Sequence, residues 1–201
     1  MEFENIIDET IPAGILETIK KEVEKSVLPL REDDPWTADL DEEYELDYKK
    51  AQYLFLNWLK SNSLSEKILY AGSGSDILPK LVFGEEKVIH TSMESYDGDE
   101  TKYFPELGSG MKSVADNINM PFPNSCFDMI LFFGLFTNTT EKQLREAVRV
   151  LADEGVIALD DTITKNIDLA NILSEFEMIE VPEMFQNCGI SETNFAVYKK
   201  L

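Results

Sequence analysis

The chain has 201 residues, 43% of them hydrophobic, and 39 acidic against 18 basic residues give it a formal net charge of −21. Its length suits one domain of ordinary size, and no charge-free apolar run is long enough to span a membrane. The negative charge repels a phosphate backbone, so nucleic acid is not expected as a partner. We interpret the acidic residues as a solvated surface. The alternative is that they meet a cationic substrate or a basic protein partner.

The N-terminus, MEFENIIDETIP, lacks the basic and apolar regions of a secretory signal, which predicts a cytoplasmic location. Cys126 and Cys188 are far apart in the chain, and His90 is the only imidazole that could join them as a metal ligand. The sequence therefore predicts neither a disulfide framework nor a metal site. Both cysteines are interpreted as small apolar residues.

Two helices are predicted in the first part of the chain. Thr10 can cap the first, Pro12 lies in its opening turn, and Pro29 ends it. The second has apolar and aromatic residues at helical spacing, which we interpret as core residues: Tyr44, Tyr48, Ala51, Phe55, Trp58 and Leu59. We expect residues 1–62 to form a helical extension that packs on a domain of residues 63–201.

From residue 67 onward, short apolar runs alternate with helical segments. In chain order these are KILYA, a helix over 77–83, VIHTS, MKSVA, FDMILFF, a helix over 141–151, and GVIALD. This alternation predicts βα units and a mainly parallel sheet, and hence an α/β fold. A short helix near 167–173 precedes FEMIEV and TNFAVYKK, two β-rich runs that predict a closing antiparallel strand pair.

The stretch KILYAGSGSDILP places Gly72 and Gly74 in a turn between the first strand and a helix. Such a turn presents backbone N–H groups at the carboxyl edge of the sheet, where open α/β folds bind ligands. The dinucleotide fingerprint GxGxxG would need glycine in place of Ile77, which disfavours a nicotinamide or flavin cofactor. From the spacing alone, an ordinary tight turn stays open as the alternative.

A second pattern is DNINMPFPNSCFDMI at residues 116–130, followed by RVL at 149–151 and GVI at 155–157. Together with the glycine turn, it resembles the class I S-adenosylmethionine-dependent methyltransferases over about residues 65 to 201. The resemblance implies a doubly wound, Rossmann-like fold, S-adenosylmethionine as cofactor and a small-molecule acceptor. Two alternatives stay open: a binding or regulatory protein that keeps the fold without catalysis, and a related aminopropyltransferase.

The resemblance also implies where the cofactor binds. Gly72 and Gly74, with Ser73 between them, would let the backbone approach the methionine and ribose parts of the cofactor. Asp116 and Asn117 would meet the adenine, with the carboxylate facing its exocyclic amine. For Asp116, a turn or cap role is the structural alternative.

Two more positions follow from the same resemblance. The ribose hydroxyls need an acidic residue at the end of the second strand, where Ser92 aligns and the nearest carboxylate is Glu94. We favour Glu94, because a carboxylate can accept two hydroxyl donors together and serine cannot match that geometry. Phe133 and Gly134, at the end of the fourth strand, would flank the cofactor and the reacting methyl.

The first glycine motif departs from the family pattern at two positions. The family usually has an acidic residue at position 70 and a glycine at position 76, whereas this chain has Tyr70 and Asp76. Tyrosine cannot serve as the carboxylate that faces the cofactor's ammonium group. Asp76 is therefore the candidate for that charge, or for a cap on the helix that follows.

No catalytic residue is assigned. Methyl transfer from a sulfonium can proceed largely by positioning, without a dedicated acid or base. Asp160 and Asp161 are candidates for deprotonating an acceptor, and Asn138 for touching it. His90 is a further candidate base, although a packed core histidine is the more natural interpretation.

Overall fold

The computed structural model describes residues 10–27, 42–72, 76–92, 112–114, 118–133, 141–160, 168–185 and 194–201. Its helices are α1 (Ala13–Val27), α2 (Glu42–Asn62), α3 (Leu78–Phe83), α4 (Glu141–Val150) and α5 (Leu169–Ile172). Its strands are β1 (Ile68–Ala71), β2 (Val88–Ser92), β3 (Lys112–Val114), β4 (Phe127–Phe132), β5 (Leu151–Asp160), β6 (Phe176–Ile179) and β7 (Phe195–Lys200). Among these helices, none has the length and apolarity that crossing a bilayer requires.

The seven strands form one sheet in the order β3-β2-β1-β4-β5-β7-β6. Strands β1 to β5 pair in parallel, whereas β7 runs antiparallel to both β5 and β6. The predicted α/β fold, with a mainly parallel sheet that closes in an antiparallel pair, is therefore confirmed. The order reverses at β1, which has β2 on one side and β4 on the other, and open α/β sheets bind ligands at the carboxyl ends of such strands.

Helices cover both faces of the sheet. On one face, side chains of α1 and α2 share a core cluster with alternate residues of the strands, among them Tyr70 and Leu131. On the other face, α4 packs against the residues between them, such as Leu69 and Ile130. Strand β1 is buried along its whole length because both of its faces are covered.

The second predicted helix supplies much of the core on the first face. Phe55 is fully buried and stacks on Phe195, with ring centroids 4.4 Å apart, and it also contacts Trp58 and Phe185. The interpretation of its aromatic residues as core is thus confirmed for Phe55. Where a domain boundary falls between this helix and the sheet stays a prediction.

One boundary differs from the predicted one. The helix that carries the RVL pattern ends at Val150, because Leu151 already pairs with Phe127 in the sheet. Strand β5 therefore starts before the predicted GVIALD run and passes through an irregularity in which Glu154 has a φ of 63°. The strand still ends at Asp160, so the carboxyl edge of the sheet lies where the sequence places it.

Candidate functional site

The glycine turn begins directly after β1. Gly72 has a φ of 69°, in the left-handed region that residues with a side chain rarely adopt. The chain then enters α3 at Leu78, with Pro79 in the first turn of the helix. Ser73 and Gly74 lie outside the described residues. Gly72 thus occupies the switch point of the sheet in a conformation that favours glycine.

Polar side chains gather above this edge of the sheet. Four of them come from one face of the first half of α2, at spacings of three, one and three residues, which bring them to the same side of a helix. Of the others, one lies within β1, one follows β1 and one ends β5. We call this group the polar cluster; it consists of Glu45, Tyr48, Lys49, Gln52, Tyr70, Asp76 and Asp160.

Asp76 is the centre of the polar cluster. Its Oδ2 accepts hydrogen bonds from the Tyr70 hydroxyl at 2.6 Å and from Gln52 Nε2 at 2.7 Å, and it lies 3.0 Å from Lys49 Nζ. Its Oδ1 accepts a bond from the Leu78 N–H at the start of α3, at 2.9 Å. The carboxylate therefore helps to cap that helix and, in addition, carries a charge that Lys49 balances.

The surroundings of Asp76 keep it ionised. Burial raises its pKa, but the Lys49 ammonium, the Tyr70 hydroxyl and the Leu78 N–H together outweigh burial, so the pKa lies below its ordinary value. The side chain is only 7% exposed. Asp76 is thus a buried negative charge held by four donors.

Tyr70 positions this carboxylate. Its side chain is 2% exposed, and burial followed by the Asp76 charge raises the pKa of its hydroxyl well above the ordinary value. The hydroxyl therefore stays protonated and donates to Asp76. Tyr70 cannot supply the acidic group that the family has at this position. Its hydroxyl instead holds the Asp76 carboxylate in place by a hydrogen bond.

A second pair lies at the end of β5. The Tyr48 hydroxyl donates to Asp160 Oδ2 at 2.8 Å, and Asp160 is fully buried. Burial and then the Asp160 charge raise the pKa of Tyr48 well above its ordinary value, so this hydroxyl also stays a donor. The Tyr48 ring packs on Phe195, as a core residue would, while its hydroxyl belongs to the polar cluster.

Two other predicted residues lie in the core beneath the polar cluster. Phe133 is 2% exposed and contacts the rings of Phe55, Tyr70 and Phe195, so its side chain is part of the aromatic core. His90 is 3% exposed, and its ring lies edge-on to Tyr70 with centroids 5.4 Å apart. That is the packed position expected of a core histidine.

The remaining predicted site residues cannot be placed. Outside the described residues lie Ser73, Gly74, Glu94, Asp116, Asn117, Gly134, Asn138 and Asp161. Their assignment to the cofactor or the acceptor therefore stays a prediction. The structure does bring together Tyr70, Asp76 and Asp160.

Sequence reasoning missed Glu45, Lys49 and Gln52. It followed only the apolar and aromatic positions of the second helix and assigned no role to the polar residues between them. The available signal was that these three residues recur at intervals of four and three on one side of the helix, next to Tyr48. That stripe predicts a helix face that meets something polar.

No protein-family model matches the sequence, and no curated protein matches it. Solved structures do match. A SAM-dependent methyltransferase from Aquifex aeolicus superposes with a TM-score of 0.53 at 20% identity, over 80% of this chain and 98% of that chain. The 1,6-didemethyltoxoflavin-N1-methyltransferase of Burkholderia thailandensis, with bound 1,6-didemethyltoxoflavin and S-adenosylhomocysteine, gives a TM-score of 0.54 at 12% identity, over 95% and 91%.

A third similar structure is named as a cyclase rather than as a methyltransferase. The [4+2]-cyclase SpnF superposes with a TM-score of 0.55 at 12% identity, over 90% of this chain and 92% of that chain. At such identities the likeness concerns the fold. The chain has the fold of the class I S-adenosylmethionine-dependent methyltransferases, as the resemblance of its sequence implied.

Proposed function

We propose that the chain is an S-adenosylmethionine-dependent methyltransferase that acts on a small molecule. The observation that carries the proposal is Gly72, which sits after β1 at the switch point of the sheet with a left-handed backbone. A side chain at this position would strain the turn and crowd any ligand laid against it. Asp76 adds a buried carboxylate at the end of the same turn.

The described residues fit the cofactor. Gly72 would allow its backbone to approach the cofactor, and Asp76 is ionised and able to receive an ammonium group. The cofactor would supply an electrophilic methyl group on a sulfonium. Around it we place the predicted residues Ser73, Gly74, Glu94, Asp116, Asn117, Phe133 and Gly134.

The chain's own contribution to methyl transfer would be positioning and exclusion of water. The bond from Tyr48 to Asp160 ties α2 to the end of β5, and the contacts of Gln52 and Lys49 tie it to the turn after β1. Helix α2 thus covers the carboxyl edge of the sheet. An acceptor held there would be shielded from solvent, which favours attack on the methyl group.

Calorimetric titration with S-adenosylmethionine and S-adenosylhomocysteine tests the proposal. We expect micromolar binding to the natural chain and its loss in Gly72→Val, because valine is strained at a φ of 69°. Gly14→Val is the matched control, since a Cβ at Gly14 meets nothing within 4 Å. Asp116→Ala tests the predicted adenine contact separately, and thermal unfolding of each variant confirms that it is folded.

Absence of heat and of any thermal shift at millimolar ligand would contradict the proposal. The second candidate, a binding or regulatory protein without catalysis, is favoured by one observation: Lys49 already balances the Asp76 charge. It predicts that no methylated product appears by mass spectrometry in a screen of small-molecule acceptors. The first candidate predicts a product that gains one methyl group.

A further inference from the structure

The buried carboxylate of the polar cluster, Asp76, already forms an ion pair with the ammonium group of Lys49. Lys49 Nζ lies 3.0 Å from Asp76 Oδ2, and the two side chains are 16% and 7% exposed. The same oxygen also accepts from Tyr70 and Gln52. One hydroxyl, one amide and one ammonium donor use the lone pairs of Oδ2, so a ligand ammonium can bind this oxygen only in place of Lys49.

Lys49 has another carboxylate within reach. Glu45 lies one turn earlier on the same face of α2, the spacing at which helix side chains pair. Burial raises the pKa of Glu45, the positive charge of Lys49 lowers it, and the negative charge of Asp76 raises it. Lys49 therefore interacts with two carboxylates, and a long flexible stem allows its ammonium to turn from one to the other.

We propose that Lys49 is an internal counter-ion that an alkylammonium group of the ligand displaces. The ligand's ammonium takes the place of Lys49 Nζ on Asp76, and Lys49 turns to Glu45. This inference rests on the proposed function for the source of the ammonium, which is the amino-acid end of the cofactor or a cationic acceptor. Gln52, whose Oε1 accepts from Lys49 Nζ at 3.2 Å and whose Nε2 binds Asp76, stays in place as a donor to the carboxylate.

The displacement has a thermodynamic consequence. Only the fraction of molecules in which Lys49 has left Asp76 can bind the ammonium, and the apparent affinity falls by that fraction. Removal of the Lys49 ammonium should therefore tighten binding of ligands that carry an ammonium group. Ligands without one should be unaffected.

The test compares two nucleosides on matched variants. S-adenosylhomocysteine carries the amino-acid ammonium, whereas 5′-methylthioadenosine lacks it. At about pH 8, well above the ordinary carboxyl pKa, we expect Lys49→Met to bind S-adenosylhomocysteine roughly 5- to 150-fold more tightly than the natural chain, the range typical of coupled sites. Lys50→Met is the control, because Lys50 pairs with Asp47 on the same helix at 3.2 Å and the change in net charge is the same.

Glu45→Gln tests the second half of the proposal. It removes the carboxylate to which Lys49 turns, so S-adenosylhomocysteine should bind more weakly than to the natural chain. 5′-Methylthioadenosine should bind all of these proteins alike. A Lys49→Met variant that gains nothing for S-adenosylhomocysteine, or gains equally for both nucleosides, would overturn the proposal.

A failure of the proposed function gives a different result. If no protein binds either nucleoside, n-butylammonium chloride decides the inference by thermal unfolding of Lys49→Ala and Lys50→Ala. Stabilisation of Lys49→Ala alone supports an ammonium site on Asp76 that serves a cationic molecule other than the cofactor. Equal behaviour of the two variants overturns the inference.

Discussion

Among the cation–carboxylate contacts in the described part of the molecule, those of Arg149 and of Lys49 are built differently. At the end of α4, the Arg149 guanidinium binds Glu146 and also donates to the carbonyl oxygens of Met120 and Phe122, at 3.1 and 3.0 Å, and to Asn124 Oδ1. Glu146 in turn accepts from the Met120 N–H at 2.8 Å. This network clamps the MPFPN loop to α4.

The comparison with Lys49 and Asp76 separates a structural role from a replaceable one. The planar fork of arginine meets several partners at fixed angles, two of them backbone carbonyls that cannot turn away. Lysine offers a point charge on a flexible stem, and its partners are side chains. The Arg149 network fixes the conformation of a loop. In the Lys49–Asp76 pair, by contrast, the lysine ammonium neutralises a carboxylate, and a ligand ammonium can take its place.

The largest effect on stability is expected from Arg149→Ala. It leaves two loop carbonyls and Glu146 without their donor, and we expect a loss of roughly 1.5–3 kcal/mol in the free energy of unfolding, moderated because the guanidinium is partly exposed. Arg145→Ala is the control, since Arg145 forms an exposed pair with Glu141 on the same helix. Urea unfolding should show a change within about 0.5 kcal/mol for that control. Equal losses in both variants would mean that Arg149 is an ordinary surface cation.

Asp76→Asn should lower the free energy of unfolding by less, about 1–2 kcal/mol at neutral pH. The loss is smaller because the Lys49 ammonium can turn to Glu45 and solvent. The loss should depend on pH. The pKa of Asp76 is lower in the folded than in the unfolded chain, so its charge stabilises the fold above the unfolded pKa and this contribution disappears as pH falls through the folded pKa.

Urea unfolding of the natural chain and of Asp76→Asn measures this dependence. The difference between the two proteins should be largest at neutral pH and should shrink in acid, below about pH 4, the ordinary carboxyl range. A difference that is constant or grows in acid would show that Asp76 acts through packing rather than through its charge.

The smallest effect is expected from Tyr48→Phe. The ring keeps its contact with Phe195, but the hydroxyl bond to the buried Asp160 is lost, which should cost about 0.5–1.5 kcal/mol. Tyr53→Phe, on the same helix and packed against the same core, is the control. Equal stability of Tyr48→Phe and the natural chain in urea unfolding would show that the hydroxyl bond adds nothing to the docking of α2.

Much of the fold could be predicted from the sequence because the signals are local. The apolar runs of β1 and β4 are long enough to cover a strand buried on both faces, and the turns between elements carry glycine or proline at their ends. The switch to two β-rich runs near the C-terminus predicted the antiparallel pair. None of these inferences needs contacts between distant parts of the chain.

The candidate site was predictable only in part. Gly72 and Asp76 stand out because the motif lies within one turn of chain, and Tyr70 was recognised as a departure. That Tyr70 holds Asp76 could not be predicted, since the spacing of six residues does not by itself bring the two side chains together. The cofactor contact of Phe133 stays a prediction; that its ring also packs on Phe55 and Tyr70 could not be read from the sequence, because those contacts join distant parts of the chain.

The sequence by itself determined the order of helices and strands, the closing strand pair and the glycine turn, since each depends on residues close together in the chain. Only the tertiary structure decided that Lys49 and Gln52 reach Asp76, across 27 and 24 residues of chain, and that Tyr48 reaches Asp160 across 112. The physical reason is that burial changes how much a polar group contributes to the free energy of folding. A lysine on a helix is a solvated cation until the helix is docked on a sheet edge, where the same charge becomes the partner of a buried carboxylate.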